Sequence, residues 1–157
     1  MTIAGYTFAG QACVSAQRIY VEEAVYEQFV SLLQQRLEQL VVGDPANEST
    51  QLGPMITEEA AKRAESWVQE AVAQGAIIRT GGTRNGTLFA PTILENVTND
   101  MKVVCQEVFA PIVAVIPFTD EEQVLQAAND SEYGLQAGVF TSNIHRAFTF
   151  ADRLQMG

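Results

Sequence analysis

Three places in this chain carry side chains that could do chemistry. Cys13 follows Gly10, Gln11 and Ala12. A glycine three positions ahead of a cysteine lets the backbone turn sharply, which exposes the sulfur and gathers main-chain N–H groups around it. Such donors stabilise a thiolate and can bind the oxyanion that forms when sulfur adds to a carbonyl. Cys13 is therefore a candidate nucleophile for covalent catalysis. The competing reading is that an unpaired cysteine is most often a small buried hydrophobe. The second place is Cys105-Gln106-Glu107-Val108-Phe109-Ala110-Pro111, where Glu107 and Phe109 stand out. Taken alone, a glutamate is usually a solvated surface carboxylate and a phenylalanine usually packs a core. The third is His145, the sole histidine, in a polar run ahead of the last helical stretch. No Cys–His motif surrounds it, so it is expected at the surface, and a cysteine-protease pairing with Cys13 is disfavoured.

The elements that must position these residues alternate. Residues 17–22 form a candidate strand directly after Cys13. Val25, Phe29, Leu32, Leu33, Leu37 and Leu40 recur at helical spacing, which predicts an amphipathic helix over 23–41 with that stripe in the core. Thr57 is a good N-cap, with Glu58 and Glu59 in the first turn, where the helix dipole favours anions. Ala64, Trp67, Val68, Ala71 and Val72 give this helix its buried face, and Gly75 is placed to end it. Ile77-Ile78-Arg79 reads as a short strand. Gly81 to Gly86 reads as a turn, because its glycines lack the spacing of a phosphate-binding loop. Ile112 to Phe118 is an apolar, β-branched run suited to a strand buried on both faces of a parallel sheet. Asp120 with Gln123 starts a helix through about Ala128, Ala137 to Thr141 is a further buried strand, and Asn143 caps a last helix through Leu154. This alternation predicts an α/β fold: a three-layer α/β/α sandwich around a mainly parallel sheet.

Composition removes several classes of function. A length of 157 residues fits a single domain. The formal net charge of −10, from 19 acidic and 9 basic residues, argues against nucleic acid and against anionic membrane surfaces as partners. No apolar run approaches the ~20 residues of a membrane-spanning helix. No secretory leader is visible after Met1. The two cysteines, Cys13 and Cys105, offer neither metal-ligand spacing nor a disulfide framework, so no metal is expected. Cysteines this sparse suit a reducing, cytoplasmic setting.

Taken together, Gly10-Gln11-Ala12-Cys13 and Glu107-Val108-Phe109-Ala110-Pro111 resemble two segments of the aldehyde dehydrogenase superfamily: its Gly-Gln-x-Cys nucleophile run and its Glu-x-Phe-Gly-Pro run. Ala110 stands where glycine is commoner. Val42-Gly43-Asp44-Pro45, Leu52-Gly53-Pro54-Met55-Ile56, Ala90-Pro91-Thr92-Ile93-Leu94 and Asn129 to Leu135 fall in the family's order, so the resemblance covers the chain from Gly10 to Leu154. It implies that Cys13 attacks a small aldehyde to give a thiohemiacetal and then a thioester. It implies that Glu107 binds the nicotinamide-side ribose and that Phe109 packs near the nicotinamide of NAD or NADP. It further implies a partial catalytic domain over 1–157 and a homo-oligomer as parent. The dinucleotide-binding domain and the C-terminal oligomerisation segment are then absent from these residues, which alone bind no cofactor and are inactive. The alternative is a non-catalytic folding or interaction module derived from the same family.

Overall fold

A computed structural model describes residues 1–156. Its elements are α1 (Thr2–Tyr6), β1 (Arg18–Glu22), α2 (Tyr26–Glu38), α3 (Glu58–Ala73), β2 (Ile77–Thr80), β3 (Arg84–Asn85), β4 (Leu88–Phe89), β5 (Thr92–Glu95), α4 (Lys102–Cys105), β6 (Ile112–Phe118), α5 (Glu121–Asn129) and α6 (Ile144–Arg153). The main sheet runs β1-β6-β5-β2; β6 pairs parallel with both β1 and β5, and β2 joins antiparallel. This is the mostly parallel α/β arrangement that the alternation predicts. Ile112, Val113, Ala114 and Val115 are buried in succession. Successive strand residues point to opposite faces, so β6 is covered on both sides. Among the described residues, no helix is long and apolar enough to cross a membrane.

The helix starts follow local chemistry. Thr57 accepts from the Ala60 N–H at the head of α3, Asp120 from Glu122 and Gln123 at the head of α5, and Asn143 from His145 and Arg146 at the head of α6. Each side chain satisfies N–H groups that have no partner within the helix. Gly75 closes α3 with φ +108°. Arg18 of β1 donates to the carbonyls of Ala127 and Ala128 at 2.8 and 3.0 Å. A cation there complements the C-terminal end of α5 and ties that helix to the sheet.

Four expectations need correction. The buried face of α3 is Ala61, Ala64, Val68 and Ala71, with Trp67 half-buried and Val72 exposed. The helix expected over 23–41 is a 3-10 turn at Glu23–Val25 followed by α2 from Tyr26 to Glu38. The Tyr26 hydroxyl donates to Glu95 at 3.0 Å and lies 3.2 Å from the Val115 carbonyl, which fixes the helix start against β5 and β6. The buried face of α2 is Val30, Leu33 and Leu37; Val25 and Leu32 are exposed. The region 81–86 holds one arm of a small hairpin, β3 paired with β4, rather than a turn alone. Ala137 to Thr141 forms no strand, and residues 131–140 are exposed throughout. A buried strand needs a partner edge and a cover, and neither lies against this segment.

Candidate active site

The Cys13 loop is entered through an unusual turn. Phe8, Ala9 and Gly10 have φ of 52°, 57° and 69°, three left-handed residues in a row. Left-handed backbone costs about 1–2 kcal/mol per non-glycine residue, so the surroundings must hold it. They do so through the motif glutamine. Gln11 donates from Nε2 to the Phe8 carbonyl at 3.1 Å, and its Oε1 accepts from the Ile56 N–H at 2.8 Å. Beyond the cysteine, the Ser15 N–H donates to the Ala12 carbonyl at 2.9 Å and the Ala16 N–H to the Ala4 carbonyl at 2.8 Å. Gly10 is required by contact as well as by φ. A Cβ there would sit 2.0 Å from the carbonyl oxygen of Ala110.

That contact brings the second sequence segment to the first. Cys13, Ser15 and Gln17 line one cleft together with Glu107, Phe109 and Ala110. Residues some ninety positions apart in sequence therefore share one site, as the two motifs require. Cys13 and Glu107 are exposed and Phe109 is half-buried. Phe109 also has a left-handed backbone, φ 52°. Phe109 is thus a strained non-glycine residue in the cleft lining, and Phe8 and Ala9 lead into the opposite segment through Gly10; strain of this kind concentrates at functional sites. Among the described residues, the backbone N–H of Cys13 and the carboxylate of Glu107 have no protein hydrogen-bond partner. The first is a free donor beside the sulfur, and the second a free acceptor across the cleft.

The clamp that joins the walls is Gln17, which the sequence reading passed over as part of a strand. Its Nε2 donates to the carbonyls of Val103 (3.0 Å) and Gln106 (2.7 Å), and its Oε1 accepts from the Val108 N–H at 3.0 Å. Arg63 adds a bond to the Val108 carbonyl at 2.9 Å while its guanidinium lies 5.0 Å from the centre of the Trp67 ring. Both backbone groups of Val108 are held by side chains from elsewhere in the fold. No periodicity or short motif marks Gln17 or Arg63 for this task.

His145 lies exposed near the start of α6 and is not among the residues lining the cleft. Cys105 is exposed too, its sulfur 3.6 Å from the Asp100 carbonyl, and it does not line the cleft either. Among the described residues, no group of three or more His, Cys, Asp or Glu side chains is arranged to hold a metal ion.

The chain is 49% identical over 149 residues to a 3-sulfolactaldehyde dehydrogenase of Priestia aryabhattai, covering 95% of this chain and 31% of that protein. It is 42% identical over 151 residues to an NADP(+) succinate-semialdehyde dehydrogenase of Deinococcus radiodurans, covering 94% and 32%. Its fold matches aldehyde dehydrogenase 21 of Physcomitrella patens, solved with the reaction product succinate, with a TM-score of 0.96 at 37% identity, over 99% of this chain and 32% of that one. The chain thus spans about a third of the length of these relatives. The sequence pattern of the aldehyde dehydrogenase family matches all of residues 1–157, and the chain belongs to that family.

Proposed function

We propose that this chain supplies the nucleophile and part of the cofactor site of an NAD(P)-dependent aldehyde dehydrogenase. The observation that carries the reading is the convergence of Cys13, Glu107 and Phe109 on one cleft. The Cys13 sulfur, its proton given up to solvent, adds to the aldehyde carbon; a C–S bond forms as the C=O π bond opens to a tetrahedral oxyanion. The Cys13 N–H, which has no partner among the described residues, supplies a donor for that oxygen in this reading. A nicotinamide held by Glu107 and Phe109 would supply the acceptor for the hydride lost from the tetrahedral carbon, and Cys13 would then carry the acyl group as a thioester. Water then releases the carboxylic acid and restores the thiol.

The cleft fits such a cofactor. An exposed carboxylate without a protein partner suits the two hydroxyls of a ribose, and a half-buried ring beside it suits a flat heterocycle. Glu107 holds the ribose in this reading, and Phe109 limits where the ring can lie. Residues 1–157 are part of a catalytic domain. The dinucleotide-binding domain and the segment that joins subunits of a homo-oligomer belong to the remaining two thirds of an enzyme of this family. The 157 residues alone therefore neither bind cofactor nor turn over substrate. A reducing cytoplasm keeps the exposed Cys13 as a thiol.

The test is Cys13→Ala in the intact enzyme, with NAD and NADP and a panel of short aldehydes, read by absorbance of the reduced cofactor. Turnover should fall by at least ~10⁴-fold. Equal turnover in the variant would sink the nucleophile assignment and leave the interaction-module reading in its place.

A further inference from the structure

We infer that Gln17 is a positioning residue for cofactor binding: its amide sets the backbone on both sides of Glu107 and thereby aims the Glu107 carboxylate. This rests on the reading above, in which Glu107 binds the ribose.

The geometry is specific to the residue between two fixed points. Gln17 takes the carbonyl of Gln106 at 2.7 Å and the N–H of Val108 at 3.0 Å, so the peptide groups before and after Glu107 are both bonded to one side chain. The remaining Nε2 hydrogen goes to the Val103 carbonyl in α4. Two amide donors and the amide oxygen are thus all in use, and no smaller side chain could span the three groups. Glu107 itself has no partner among the described residues. Its carboxylate can be held in place only through its backbone, which makes the clamp consequential. Gln17 also sits four residues after Cys13 on the run that enters β1. One amide therefore couples the nucleophile wall of the cleft to the ribose wall.

Arg63 does not duplicate this. It bonds the Val108 carbonyl, on the far side of Val108 from Glu107, and leaves Gln106 free. A substitution at Gln17 frees both flanks of Glu107, whereas loss of Arg63 frees neither.

The experiment is a double-mutant cycle on the intact enzyme: wild type, Gln17→Met, Glu107→Ala and the double variant. NAD and NADP affinity is read by equilibrium titration, and KM for the cofactor is read beside kcat. Methionine keeps the length and volume of glutamine, which protects folding, and melting temperatures are recorded for all four. Gln17→Met should weaken cofactor binding by about tenfold, the scale of losing one or two net hydrogen bonds. In the Glu107→Ala background the same change should cost less than about twofold, because a residue that acts through Glu107 has nothing left to aim. KM for the cofactor should rise more than kcat falls, and Gln17→Asn, whose amide is too short to span the three groups, should not restore the affinity.

Equal weakening in both backgrounds would mean a general packing role and would overturn the inference. So would unchanged affinity in Gln17→Met while Glu107→Ala binds weakly, an outcome that leaves the ribose assignment standing. If Glu107→Ala itself binds as well as wild type, the ribose assignment fails and the inference falls with it. The Cys13→Ala result then still decides the nucleophile on its own.

Discussion

Two segments of this chain read alike in sequence, as buried strands, and end in opposite states. Ile112 to Phe118 reads as a buried strand and is one: β6 is paired on both edges and its first four residues are buried. Ala137 to Thr141 reads the same way and is a bare loop, with Phe140 84% exposed. The difference does not lie in propensity. β6 has β1 on one edge, β5 on the other, and helices over its faces, all within these residues. The later segment has no strand beside it and no cover. An apolar run records that burial suits a segment, and only neighbours can provide it. The same contrast extends to α6, which has no buried residue at all, whereas α3 buries Ala61, Ala64, Val68 and Ala71.

The largest expected effect that could break this contrast is energetic. Leu94 lies fully buried in β5, next to β6. Leu94→Ala should cost about 2–5 kcal/mol, the transfer and cavity cost of a core leucine. Phe140→Ala, which removes a larger side chain, should change stability by less than about 0.5 kcal/mol in the 157-residue chain. Urea unfolding of both variants measures this. A Phe140→Ala loss comparable to that of Leu94→Ala would mean that the 137–141 segment is packed in solution.

Glycine offers a second, smaller version of the comparison. At Gly10 a methyl group would meet the Ala110 carbonyl at 2.0 Å on a backbone already at φ +69°. At Gly138 the nearest atom to such a methyl is the Phe140 ring at 3.6 Å, an ordinary contact, and φ is not left-handed. Gly10→Ala should cost roughly 1–3 kcal/mol, and it should part the two walls of the cleft. Gly138→Ala should be close to neutral. A thermal melt that ranks the two the other way would show that the left-handed turn before Cys13 is not a fixed feature.

These contrasts also explain what was legible in the sequence. Cys13, Glu107 and Phe109 were marked as candidates by the resemblance of two short runs to family segments, and the fold brings those runs to one cleft. The helix caps at Thr57, Asp120 and Asn143 could be found because a cap bonds to N–H groups two or three residues away. Gln17 was invisible. Its three bonds reach carbonyls and an N–H eighty-six to ninety-one positions away, and an amide on a loop looks alike in sequence whether it clamps or is solvated. The rotation of α2 was half legible. Helical spacing gave the period of its stripe, but the choice between Leu32 and Val30 depends on which side the sheet lies. The left-handed turn at Phe8 and Ala9 left no trace, because neither residue type favours that conformation.

The smallest effect concerns what does hold α6. Its attachments are polar: Arg146 to Glu22 at 3.3 Å and to Glu121 at 2.6 Å, both oxygens of Glu122 to Arg153, and the Asn129 side chain to the Arg153 carbonyl at 2.9 Å. Exposed ion pairs contribute little and are screened by salt, while apolar burial is not. The hydrogen bond and charge of Arg153 hold the Glu122 carboxyl below its ordinary value of 4.5. A carboxylate whose value is lowered by docking favours the docked state fully above its free value. That contribution is lost as pH falls through the lowered one. Hydrogen exchange on the 157-residue chain should therefore show α6 protection factors falling roughly two- to fivefold in 1 M salt, and falling again as pH drops below the ordinary carboxylate value of 4.5. Those of β6 should stay unchanged under both conditions. Protection in α6 that ignores salt and acid would mean the Asn129 bond, rather than the ion pairs, holds the helix. Sensitivity that vanishes in a longer protein containing this chain would mean that added sequence supplies the cover which Ile144 and Phe148 lack here.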